Sequence, residues 1–346
     1  MADVAVREIA AGLRFPEGPI ALDDGTVVLV EIARGTLSRV TVATGAIEVV
    51  ADCGGGPNGA ALGPDAKVYV ANNGGYFTWA DGDGPTVPGP RPEAHVGGSI
   101  QRVDLETGVV ETLYDACDGH RLVAPNDLVF DAHGGFWFTD HGVQSGDPLG
   151  RPGLLYARAD GSSIVGAAYG TNQANGVGLS PVGDRVYMAE THHAKLWEWA
   201  VPAPGIIAGL SGDPTVRSGG RLLADPGPGH LYDSLAVDGD GWICVATIGP
   251  GGITAVAPDG ATTELLDVPD DFLVTNICFS ARTVDGAVDE QRRTAFVTAS
   301  SSGRLVALSW PRTGLALAYA SPSSPALTGR CGGRATVPAH ETKGHP

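Results

Sequence analysis

One unit of sequence recurs six times along this chain, and that recurrence restricts the fold more than any local preference does. Each copy opens on a short polar lead-in, runs into an apolar strand, turns at Gly or Asp, and returns as a second strand. The copies are "FPEGPIALDDGTVVLVEI" from Phe15, "GPNGAALGPDAKVYVANN" from Gly56, "APNDLVFDAHGGFWFTDH" from Ala124, "QANGVGLSPVGDRVYMAET" from Gln173 and "LYDSLAVDGDGWICVATI" from Leu231. The sixth is "VTNICFS" from Val274, leading to "RTAFVTASS". A second pattern follows each copy, from Gly35, Gly97, Pro152, Ala194, Gly251 and Gly303, and alternates apolar with polar residues around Gly, Asp or Pro turns. It reads as the outer hairpin of a four-stranded sheet. Six such units predict an all-β, six-bladed β-propeller, with four-stranded antiparallel blades around a central channel. A βα alternation would need helical stretches of about a dozen residues, which are not found. A β-sandwich would not require six similar units.

Composition agrees. The 346 residues include 51 Gly and 25 Pro, a density of breakers that suits tight turns and not helices. One propeller domain is expected over 1–320, with a Pro/Gly/Ser-rich tail over 321–346. The stretch "VAVREIAAGL" from Val4 is the candidate strand for closing the ring. Turn-rich insertions from Gly74 to His95 and from Val143 are expected to form loops over one face. A net charge of -17 argues against a nucleic-acid partner and suits a soluble enzyme that holds a cation. No apolar run reaches roughly 18 residues, and the start lacks a secretion-signal pattern, so a cytoplasmic protein without a membrane partner is expected. The five cysteines are scattered without CxxC spacing, which leaves room for one disulfide but not for a thiolate zinc site or a disulfide scaffold. Nothing in the sequence decides between a monomer and a homo-oligomer.

Aligning the lead-ins puts Glu17, Asn58, Asn126, Asn175, Asp233 and Asn276 at one register, each just before an innermost strand. In a propeller those strands line the channel and start at one rim, so side chains far apart in sequence meet there. Two carboxylates among neutral amide oxygens suit a hard divalent cation, Ca2+ first and Mg2+ or Mn2+ next. Zn2+ is less natural without His or Cys at these positions. A single "PNG" or "PND" before a strand is a turn cap more often than a ligand. A shared turn in every blade also produces repetition, but it does not explain a Glu after Pro. His141, His192, His193 and His230 stand where a rim is in reach, as proton carriers or as ordinary loop residues. Arg121 is a candidate contact for an anionic substrate or a surface cation. Tyr76, Phe77 and Trp79 form either an aromatic lid or the packed core of their loop.

The motifs "FPEGPIAL", "PNDLVFDAHGGFWFTD", "ANGVGLSPVGDRVYMAET" and "DSLAVDGDGWICVAT" resemble the SMP-30/gluconolactonase/LRE-like family of six-bladed propellers, over nearly the whole chain. The resemblance implies a lactonase acting on sugar-type or related small lactones, with one divalent cation in the channel. It implies Glu17, Asn126, Asn175 and Asp233 as metal ligands, with Asn126 also a candidate substrate contact. Asp233 and Glu17 are the expected catalytic carboxylates; Asn58, Asn126, Arg121, His141 and Asn276 are the expected substrate contacts. Where the family often continues "TDPxYG", this chain has "TDHGVQ", which puts specificity in question and leaves the ligands untouched. Three alternatives stay open: phosphotriester hydrolysis on the same metal site, a non-catalytic propeller that binds a protein, and a quinone-dependent oxidoreductase. The last lacks identifiable basic residues for its cofactor. No nucleophile elbow or P-loop is present.

Overall fold

The computed structural model describes residues 5–80, 82, 84–142, 153–209 and 219–319. The insertion from Val143 and the tail over 321–346 lie outside them. Among the described residues there is no α-helix, and so none long and apolar enough to cross a membrane. Six antiparallel blades, five of four strands and one of five, succeed one another along the described residues, with one two-stranded hairpin beside them.

In each blade the first strand is innermost: β2 (Pro16–Ala21), β6 (Pro57–Leu62), β12 (Pro125–Phe130), β16 (Ala174–Leu179), β21 (Leu231–Val237) and β25 (Val274–Ser280). The second strands are β3 (Thr26–Glu31), β7 (Val68–Asn72), β13 (Gly135–Asp140), β17 (Arg185–Glu190), β22 (Ile243–Ile248) and β26 (Thr294–Ala299). They are packed on both faces, which is why they read as continuous apolar runs: Val27, Val28, Leu29 and Val30 are all fully buried. Neighbouring blades share their cores. Tyr69 of β7 stacks edge-on against Phe130 of β12 at 5.0 Å, for example.

The ring closes as expected. β1 (Val6–Ala11) pairs with β27 (Arg304–Ser309) and supplies the outer strand of the sixth blade. The pattern from Gly303 therefore forms one strand and not a hairpin. Trp310-Pro311 ends β27, and proline cannot donate to a ladder. The fourth blade also departs from expectation. The edge of β18 (Lys195–Ala203) is shared by β19 (Ile206–Ala208) and β20 (Arg221–Ala224), because the prolines in "AVPAPG" cut the hairpin short. Cys53, Cys117, Cys244 and Cys278 are buried free thiols, so no disulfide joins these four.

A polar clasp stands near the end of several second strands and ties down the lead-in of the same blade. Glu31 accepts from Arg14 N (2.7 Å), Asn72 from Gly56 N (3.0 Å), Asp140 from Val123 N and Ala124 N (2.7 and 2.9 Å), and Glu190 from Asn172 N (2.8 Å). These bonds satisfy loop amides that would otherwise be buried unpaired.

Candidate active site

Every innermost strand slips register where its lead-in becomes strand. The shifts fall between Glu17 and Ile20, Pro57 and Gly59, Pro125 and Leu128, Ala174 and Val177, Tyr232 and Leu235, and Val274 and Asn276. A β-bulge re-aims a side chain and ends regular pairing. Here six bulges occur at one level of the ring, and the six aligned residues sit on them. Glu17, Asn58, Asn126, Asn175 and Asn276 are buried, whereas Asp233 is enclosed yet keeps partial exposure.

The residue after each is small in four of six cases, Gly18, Gly59, Gly176 and Ser234, because the inner strands touch at this level. A Cβ on Gly59 would lie 2.5 Å from the Asn126 carbonyl oxygen, and one on Gly176 would lie 2.6 Å from Leu235 N. Asp127 and Ile277 are the exceptions, and sequence reasoning passed over Asp127. Its Oδ1 accepts from Leu128 N (2.9 Å) and its Oδ2 from Val177 N (3.2 Å), so it staples the third blade to the fourth. The available signal was an acid in a position otherwise held mostly by Gly or Ser.

Glu17, Asp233 and Asp127 are electrostatic neighbours. Glu17 Oε2 accepts from Gly18 N (2.6 Å) and from Asn276 Nδ2 (2.7 Å). Burial, then repulsion from Asp233 and from Asp127, still raises the Glu17 carboxyl well above its ordinary pKa. Asp233 is pushed up to about 7, chiefly by burial and also by Asp127, against a hydrogen bond from Asn175. Burial likewise lifts Asp127 to about 7. Three acids so enclosed call for a counter-cation. Asn126 Oδ1, buried and without a partner among the described residues, is a further free oxygen donor. No group of three His, Cys, Asp or Glu among the described residues forms a metal cage by itself. The donor set instead mixes carboxylates with amides. Hard oxygens, uncompensated charge and an orphan amide oxygen together fit a divalent cation.

The other expected contacts divide. His141 is buried at the end of β13, 6.0 Å from the Tyr76 ring, with Nδ1 unpartnered among the described residues. Burial first, then proximity to His192, depresses its pKa to about 4, so it is neutral. Arg121 lies on β11 (His120–Arg121), exposed on a hairpin with β10 (Ala116–Cys117). His192 and His193 are exposed on the turn after β17.

The insertion from Gly74 crosses this face. Thr86 N donates to Ser301 O of the sixth blade (2.8 Å). Tyr76, Phe77 and Trp79 form a chain of ring contacts that ends on Phe15, 5.0 Å from Trp79. Phe15, Ile32 and Leu273 share a cluster with Phe77, Trp79 and Ile248, so several blades contribute to one apolar roof. Phe15 and Gln173, each two residues before an aligned position, hold left-handed φ angles of 56° and 57°. Such strain in non-glycine residues costs about 1–3 kcal/mol each and gathers at functional sites.

A profile for the SMP-30/Gluconolactonase/LRE-like region matches residues 15–301. The chain is 24% identical over 317 residues to the gluconolactonase of Zymomonas mobilis, spanning 85% of this chain and 79% of that one. Its fold matches a gluconolactonase structure from Xanthomonas campestris with a TM-score of 0.67 at 20% identity, over 90% of this chain and 91% of the other. It also matches the calcium-binding protein regucalcin from Agrobacterium tumefaciens, with a TM-score of 0.66 at 18% identity, over 90% and 95% of the two chains.

Proposed function

This chain belongs to the SMP-30/gluconolactonase/LRE-like family, and from that premise we propose that it hydrolyses small lactones to hydroxy acids, with the bulged ring as its active site and a divalent cation, Ca2+ first, as its cofactor. The observation that carries this reading is the convergence of six register shifts on one ring of oxygen donors with too many buried carboxylates for its amides. The gluconolactonase relative in Zymomonas supports the lactone, and regucalcin supports the calcium.

Glu17, Asn126, Asn175 and Asp233 would hold the cation. When bound, it supplies Lewis acidity toward the lactone carbonyl and offsets the repulsion between the carboxylates. The chain's own residues do the rest. Glu17 is fixed in one orientation by Gly18 N and Asn276 Nδ2, which suits an anchor. Asp233 retains solvent access, which suits it to take the proton of the attacking water. Asn58 orients the substrate, and Asn276, expected as a substrate contact, instead holds Glu17 in place through its amide. The ring oxygen leaves as the alcohol of the hydroxy acid. Neutral His141 is available to hydrogen-bond the substrate without adding charge. The aromatic roof limits water and favours lactones with apolar substituents over aldonolactones.

The test is proton release from a panel of aldonolactones and more apolar γ- and δ-lactones, after chelation and with Ca2+, Mg2+, Mn2+ or Zn2+ restored. Metal-dependent turnover that disappears in Asp233→Asn is expected. A folded protein that opens no lactone with any ion, yet cleaves a phosphotriester, would transfer the site to that chemistry.

A further inference from the structure

Below the ring the channel widens into a chamber of about 640 Å³. Its walls are the lower halves of all six innermost strands, with Ala21, Leu62, Val129, Leu179 and Ala236 among the lining residues. One side is finished by the segment after β27. That segment is held across the lower face by Gly314 N donating to Gln291 O (2.9 Å) and ends with Tyr319 against Phe130, ring centres 5.6 Å apart. The volume lies within the ~300–1,000 Å³ usual for small-molecule sites.

The wall is predominantly apolar, with Phe130, Trp137, Phe279 and Tyr319 beside the aliphatic side chains. The polar cap is already committed. Asp127 accepts from two backbone amides, and Asn276 gives Nδ2 to Glu17 while its Oδ1 accepts from Ile277 N. At the mouth the two lining acids are also engaged. Asp131 accepts from Tyr156 Oη and from His133 N and Gly135 N, and Asp184 accepts from Ser180 Oγ. Arg292 differs. It lines the chamber, is half-buried, holds a left-handed φ of 50°, and its guanidinium has no ion pair or hydrogen bond among the described residues. A free cation beside an apolar chamber is notable in a chain of net charge -17.

We propose that this lower chamber binds an unbranched aliphatic carboxylate, its chain among the aliphatic walls and its carboxylate on Arg292. Chain burial contributes through the hydrophobic effect, and the head group through a charge-assisted pair. The chamber shares Asp127 and Asn276 with the bulged ring as its cap, but its walls and Arg292 lie beyond the ring, and the proposal does not depend on the lactonase reading.

The test is calorimetric titration of the full chain with decanoate and with 1-decanol. Saturable one-to-one decanoate binding is expected, weaker by about tenfold or more for 1-decanol and for Arg292→Gln. Ala236→Trp and Val129→Trp fill the chamber from different strands, and either folded variant should abolish binding. Thermal melts identify which variants are folded. No saturable binding to the full chain overturns the proposal. Equal affinity for acid and alcohol overturns the assignment of Arg292 and of a carboxylate ligand. Binding that survives both filling variants overturns the location.

Discussion

The two halves of the channel treat polar atoms in opposite ways. In the lower half the Asp131 and Asp184 carboxylates are matched to partners, and most of the remaining wall is apolar. In the upper half Glu17 and Asp233 repel each other, Asn126 Oδ1 has no partner among the described residues, and Phe15 and Gln173 are strained. The same six strands build both halves, so the contrast lies in side chains and bulges and not in the fold. A protein tolerates broken packing rules where they serve a function.

The sharpest way to break this contrast is to neutralise the upper half. Glu17→Gln should lower lactone turnover about 100-fold or more, the scale for losing one preorganised electrostatic group. In metal-stripped protein it should raise stability by about 1–3 kcal/mol, because a repelled buried charge is gone. Chelated protein that melts no higher after Glu17→Gln would remove the argument for uncompensated charge.

Next in size is the pinch between the halves. Gly176→Ala should cost about 3 kcal/mol, the upper end for overpacking, since its Cβ would meet Leu235 N, Asp233 O and Ser234 C at 2.6–2.8 Å. Gly84→Ala, with nothing within 4 Å, is the control. Equal denaturation midpoints for the two would show that the strands do not touch at this level.

The smallest effect concerns pH. His141 is neutral when folded, with its pKa lowered from 6.5 to about 4. Below 6.5 the unfolded chain binds the proton more readily, so stability is full above that value and declines as pH falls toward about 4. Wild type should lose about 1–2 kcal/mol between pH 7 and 5 relative to His141→Gln. Parallel stability curves would place His141 in contact with solvent.

Much of this was legible in the sequence because the repeat exposes register. The turn at "PNG" or "PND" carries little weight alone, but six aligned lead-ins identified Glu17, Asn58, Asn126, Asn175, Asp233 and Asn276, and the bulges fall at all six. Ring closure by the N-terminal strand was legible for the same reason. Asp127 was not, since its role depends on an amide of another blade, fifty positions away. Nor were the clasps Glu31 and Asp140, whose partners are loop amides set by tertiary approach. Arg121 stands near Asn126 in sequence, and what the sequence does not show is that a short hairpin holds it exposed.

The pairing of β1 with β27 bears on how the protein is made. Emerging from a ribosome, the chain can complete its first five sheets in order, each from contiguous sequence. The sixth needs Val6–Ala11, synthesised before the other five blades, and Arg304–Ser309, synthesised after them. Until then the nascent protein is an open arc whose β1 has no ladder to join, an edge that invites wrong partners. Closing the circle is thus a long-range event that follows the other five blades, and a chaperone that shields Val6–Ala11 would act where the risk is longest.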